Sequence, residues 1–314
     1  MSTNDNFSDS QAVLNYLVHD FVVQQKRDRR WRFIKRGLYL LFVVFIISRL
    51  VMVYVDEQKI TAKPHVGLID IKGEIAENAP ANADNFSKGL GRAYKNPQMK
   101  ALIVRLNSPG GSPVQADYMF NTLGYYQQQY PAVKVYAVCV DSCVSAAYYV
   151  AARADEVYAN PASMVGSIGV IYSGFGFSHV MDKLGVTRRL YTAGKYKGLL
   201  DPFSAEVPGQ KLFLQHMLDQ IHQQFIEKVK LGRGSRLKID ENTFSGLPWT
   251  GIEGKERGLI DGFASSGEVL RDHIHLEDVI DYTEKPNLID QVSQHIGASM
   301  NLVFGSQFDE LKLH

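Results

Sequence analysis

From Val66 to Ala159 the chain alternates between short apolar, β-branched runs and stretches with helical spacing. Val66 to Ile71, Ala101 to Leu106, Val133 to Cys139 and Glu156 to Ala159 read as strands. Between them, residues 82–95 and Ser112 to Gln129 read as helices, the second carrying Met119, Leu123 and Tyr126 at helical intervals, and Ser145 to Ala152 starts another. Parallel neighbours need a crossover, usually a helix, so the alternation predicts an α/β fold with a mostly parallel sheet under covering helices. Ile168 to Ile171 reads as a further strand, and Val180 to Leu184 and Arg188 to Tyr191 extend the alternation. A long amphipathic helix is expected over Glu206 to Leu231, with Ile221, Phe225 and Val229 among the residues on its apolar side.

The 314 residues are 45% hydrophobic and 21% charged, enough apolar chain for a sizeable core. A net charge of +1 supplies no global attraction for nucleic acid. The basic residues are unevenly placed, however. Lys26, Arg27, Arg29, Arg30, Arg32, Lys35 and Arg36 crowd in front of the apolar stretch from Gly37 to Val55. That stretch is long enough for a helix across a hydrocarbon layer of about 30 Å, and Arg49 near its far end can snorkel. Residues 37–55 are therefore read as a retained membrane anchor touching lipid, with residues 1–36 as a cytoplasmic segment. Ser8 to Gln11 has capping-box spacing ahead of a short amphipathic helix. Residues 56–65 suit a linker, 66–275 a catalytic-sized domain facing outward, and 276–314 an extension without a chemical motif. Cys139 and Cys143 are too few for a disulfide framework and read as small buried apolar residues. The histidines form no metal-binding pattern, and no cofactor is indicated.

Four segments carry chemistry. Asn107-Ser108-Pro109-Gly110-Gly111-Ser112 joins a strand to a helix, and adjacent glycines can turn backbone N–H groups toward developing charge. Ser145, at the next strand-to-helix junction, is either a helix N-cap or a nucleophile. Ser163 to Val170 is small and apolar apart from its hydroxyls. Gly194 to Phe203 contains Lys195 and Lys197, and a lysine amine serves as a base only when burial lowers its pKa from about 10.4.

In this order and spacing the segments resemble one family. Asn107 to Gly111, Ser145 to Tyr149, Ala154 to Pro161, Gly166 to Val170, Gly194 to Phe203 and Gly258 to Asp261 are similar to the motifs of the signal peptide peptidase A (protease IV) family of membrane-anchored serine peptidases. The resemblance covers about residues 66–270. It implies a Clp-protease/crotonase-type ββα superhelix, with Ser145 as nucleophile and Lys197, rather than Lys195, as general base. It also implies Ser167 as support for the lysine, and the N–H groups of Gly111 and Ala146 as the oxyanion hole. Expected partners are peptide substrates such as signal peptides and further copies of the chain, and the expected setting is a bacterial inner membrane with the catalytic domain on the periplasmic side. One departure stands out: Ala146-Ala147 replaces the family's usual glycine pair. Alanine suits that site if the first helical turn has ordinary dihedrals; otherwise an impaired, peptide-binding scaffold is the alternative. Acyl-CoA chemistry on the same fold is a weaker fit, for want of a well-placed acidic pair.

Overall fold

The computed structural model describes residue 31 and residues 33–49 and 63–285. The expected capping box at Ser8, the linker up to residue 62 and the chain from 286 onward lie outside the described residues. The chain divides into two units, Met1–Ala62 and Lys63–His314. In the first, residues 33–49 form a helix (α1) whose side chains are exposed except for half-buried Val43. Among the described residues no helix is long and apolar enough to cross a membrane. Residues 50–55 of the expected anchor are not among them.

The second unit is built on one sheet. Its strands are β1 (His65–Lys72), β2 (Met99–Ser108), β3 (Lys134–Val144), β4 (Glu156–Ala159), β5 (Met164–Gly166), β6 (Pro248–Thr250), β7 (Gly262–Phe263) and β8 (Val279–Asp281). They run in the order β6-β5-β3-β2-β1-β8, with β4 pairing β3 and β7. Every pairing is parallel except β5 with β6. Leu102 to Val104 of β2 are buried on both faces, as a continuous apolar run in a covered parallel sheet must be. One face packs against α2 (Ala83–Lys95), α3 (Pro113–Gln129), α4 (Ala146–Ala151) and the second half of α6 (Pro208–Arg233), through Leu90, Met119, Phe120, Tyr148 and Phe225. The other face carries a smaller cluster of Ile103, Tyr136, Val138, Tyr158 and Val269.

Three expectations change. β3 runs on to Val144 instead of ending at Cys139. Leu106 of β2 pairs with Cys139, but Ser108 pairs with Cys143, so residues 140–142 bulge out of the ladder. Asn107 spans the bulge, donating to Asp141 (2.8 Å) and accepting from the Ser142 N–H (3.2 Å). Before the bulge β3 pairs with β4, after it with β5, and this fork delivers Ser145. Cys139 and Cys143 are free and buried, as expected. Second, no strand forms over Ile168 to Ile171. β5 ends earlier because Gly166 and Ser167 both take positive φ (86° and 51°), which breaks the ladder. Third, Val180 to Leu184 lies largely in a short helix, α5 (Ser178–Lys183), with no buried residue, and 188–191 is irregular, because the apolar side chains there find no core. The sheet also passes the expected boundary at 275. β8 adds to β1, and buried His65 bonds the Tyr282 hydroxyl at 2.9 Å.

Candidate active site

Ser145 links β3 to α4 with φ 55° and ψ −127°. A residue other than glycine in that region costs about 1–3 kcal/mol, so its surroundings must hold it there. They do: the Ser145 N–H donates to Gly166 O (2.8 Å) and its carbonyl accepts from the Tyr149 N–H (3.0 Å). Gly110 presses from the other side, where a Cβ would fall 2.6 Å from that of Ser145. The hydroxyl makes no capping hydrogen bond, so the N-cap reading falls away. Ala146 and Ala147 are buried and absent from the positive-φ residues; only Ser145 bears the strain. Alanine is a better helix former than glycine in such a turn, and the departure from the glycine pair is harmless to the backbone.

Gly110 and Gly111 take φ of 104° and 144°. Ile75 bonds on either side of Gly111, donating to Gly110 O and accepting from the Ser112 N–H, both at 2.8 Å. The Gly111 N–H itself has no partner among the described residues, and a Cβ there would lie 2.1 Å from Ile75 O. Ala146, first residue of α4, likewise has an N–H that its own helix cannot satisfy. Gly111, Ser145, Ala146 and Tyr149 share one cavity of about 100 Å³. Its far wall comes from Val170 and, on α6, Ile221 and Phe225. A larger cavity of about 610 Å³, beside Arg105 and Glu268, contains none of the expected site residues.

The other two expected residues lie apart from this cluster. The Ser167 hydroxyl donates to Gly246 O (3.0 Å), and its N–H to Leu247 O (3.0 Å). Lys197 sits in a turn over 194–200, exposed; its N–H bonds Gly194 O (3.1 Å), but its amine has no hydrogen bond or ion pair among the described residues. Lys195 lies 5.2 Å over the Tyr196 ring. The structure thus joins Ser145, Gly111 and Ala146 and does not bring Lys197 to them. Sequence reasoning missed Tyr149 and its support. The phenol donates to Asp117 (2.8 Å), and burial together with that acceptor pushes its pKa well above the usual range. Its place one helical turn after Ser145 was the available signal. His222 on α6, also missed, donates from Nε2 to Ile168 O (3.0 Å), tying α6 to the segment after Ser167.

A serine on a strained strand-to-helix turn, lining one cavity with two residues whose backbone N–H groups have no partner among the described residues, is an arrangement suited to acyl transfer. Residues 127–279 match the profile of Peptidase family S49. A putative signal peptide peptidase SppA of Enterococcus faecium is 24% identical over 210 residues, 64% of this chain and 60% of that protein. A putative protease of Synechocystis is 28% identical over 206 residues, 65% of this chain and 71% of that protein. A Brucella abortus protein named Na(+)/H(+) antiporter NhaA is 38% identical over 182 residues, 58% of this chain but 25% of that protein. The chain therefore spans only part of these relatives. Among solved structures, a mutant of the membrane-bound stomatin-specific protease 1510-N, in complex with a substrate peptide, aligns at 18% identity and a TM-score of 0.42, over 75% of this chain and 98% of that one. The resemblance to the signal peptide peptidase A family holds: the chain is similar to Peptidase family S49 over residues 127–279 and to a putative signal peptide peptidase over a longer stretch.

Proposed function

We propose that this protein is a membrane-anchored serine endopeptidase with a Ser145–Lys197 dyad, cutting apolar, extended peptides such as remnant signal peptides. Lys197, as a neutral amine, takes the Ser145 proton while Oγ attacks the peptide carbonyl. The N–H groups of Gly111 and Ala146 stabilise the tetrahedral oxyanion. Lys197 then returns the proton to the leaving amine, and water releases the acyl group from Ser145. The observation that carries this reading is the strained Ser145, its hydroxyl free of any capping bond, facing an apolar cavity.

An amine becomes a base only when water is removed from around it. Lys197 lies on a segment that exposes Ile171, Phe175, Leu184 and Tyr191, apolar side chains available to a partner surface. Burial of this segment in a homo-oligomer would seat the lysine and supply Ser167 with its second role. In the same reading, residues 37–55 anchor the chain in a bacterial inner membrane with the domain outside, and the ββα units stack as in the Clp-protease/crotonase fold.

The test uses the full chain in detergent. The wild type should cleave a fluorogenic apolar peptide and be labelled at Ser145 by an acylating serine probe. Ser145→Ala should abolish turnover and Lys197→Ala lower it by about 10³-fold or more, both with melting unchanged. Full turnover by either variant rejects the dyad, and activity of a reporter fused after residue 60 in the cytoplasm rejects the orientation.

A further inference from the structure

One carboxylate ties together the three helices that wall the Ser145 cavity. Asp117 of α3 accepts from the Tyr149 phenol of α4 at 2.8 Å. The same oxygen pairs with Lys228 of α6 at 2.9 Å. Gln224, also on α6, donates to the Tyr149 oxygen at 3.4 Å, and Asn121 donates to the second Asp117 oxygen at 2.8 Å. Rings fill the space between: Tyr149 stacks on Phe225 (4.8 Å) and meets Phe120 edge-on (5.7 Å), with the Lys228 amine 4.9 Å over Phe120. Ile221, Phe225 and Lys228 recur at helical spacing on one face of α6, so the face that lines the cavity is the face the ion pair grips.

We propose that Asp117 is a positioning residue that sets which substrate side chain the cavity beside Ser145 accepts. It holds the Tyr149 ring as one wall and, through Lys228, holds Phe225 and Ile221 at a fixed distance from it. The walls are apolar and the volume is small, so the ligand is one branched aliphatic side chain of an extended peptide, next to the bond that Ser145 attacks. Removing the carboxylate frees the phenol and unties α6; the cavity then widens and its preference flattens. This inference rests on the peptidase reading.

Three peptides identical except for Ala, Leu or Phe before the scissile bond test it. Wild type should favour Leu over both others by about tenfold or more, the scale of a few buried methylenes. Asp117→Asn and Tyr149→Phe should each cut that ratio at least about fivefold, in KM rather than kcat, while Lys228→Arg retains it. A uniform loss across the three peptides, or an unchanged ratio, overturns the proposal. If Asp117→Asn fails to fold, Tyr149→Phe carries the decision. Binding of the same peptides to Ser145→Ala, with and without Asp117→Asn, reads the cavity without turnover. Should wild type cleave none of them while Ser145→Ala still ranks them and the double variant does not, the peptidase reading falls and the positioning role stands. No ranking by Ser145→Ala overturns the positioning role itself.

Discussion

The two halves of the proposed dyad stand in opposite surroundings. Ser145 lies at the fork of β3, between buried Cys143 and buried Ala146, with a glycine backbone packed against it. Lys197 lies on an excursion, residues 171–207, that contributes nothing to the buried core and exposes Ile171, Phe175, Leu184 and Tyr191. α6 belongs to both. Its first half exposes Leu212 and Phe213, while its second half buries Phe225, Val229 and Arg233. The proposed nucleophile and oxyanion donors are thus held in place by the fold, whereas the proposed base sits on a surface left open to solvent.

The contrast can be broken by mutation. Lys197→Ala should lower peptidase kcat/KM by about 10³–10⁴ while leaving the melting temperature in place. A large drop in melting would mean that the lysine is packed after all. Asp261→Asn acts on the buried side. Arg233, at the end of α6, is fully buried, gives two bonds to Asp261 (2.8 and 2.9 Å) and one to Gly258 O (2.9 Å). Leaving that guanidinium without its partner should cost about 3–5 kcal/mol, read by denaturant unfolding.

The same pair sets an acid limit. Burial alone would raise the Asp261 carboxyl, but the Arg233 hydrogen bonds and charge outweigh it and hold it below the usual carboxylate range. Its folded value is depressed, so its stabilisation is complete above the unfolded value of about 3.9 and is lost as pH falls through the folded one. Thermal scans should therefore be flat on this account from neutrality to about pH 5 and decline below about pH 4, with Asp261→Asn removing that part of the decline.

Gly111→Ala sharpens the comparison further. With 2.1 Å between the new Cβ and Ile75 O, the turn must move, and both stability and turnover should fall, turnover by about 10²–10³ as for a lost oxyanion donor. The smallest effect has the opposite sign. Ser145→Gly should raise stability by about 1 kcal/mol, because glycine adopts φ 55° without strain, while turnover disappears. No gain in denaturant midpoint would show that the serine turn is not strained.

Much of the nucleophile side was legible in the chain. Strands with both faces buried read as continuous apolar runs, and Pro109-Gly110-Gly111 marks its turn because only glycine fits against Ile75 O. The excursion was not legible: Val180 and Leu184 look like core residues in any window, and whether a partner awaits them is not a local property. Nor was the bulge at 140–142, since register depends on β2 as much as on β3.

By itself the sequence determined the alternation of strands and helices, the turn glycines and the residue types able to attack, donate and accept protons, because these follow from local sterics and hydrophobic period. Only the tertiary structure decided that the Ser145 hydroxyl is free rather than capping, that Ala146-Ala147 is compatible with the turn, and that α6, paired with α3 through Lys228 and Asp117, lines a cavity beside it. Those depend on φ angles imposed by packing, and on side chains remote in sequence meeting in space, which no window of the chain contains.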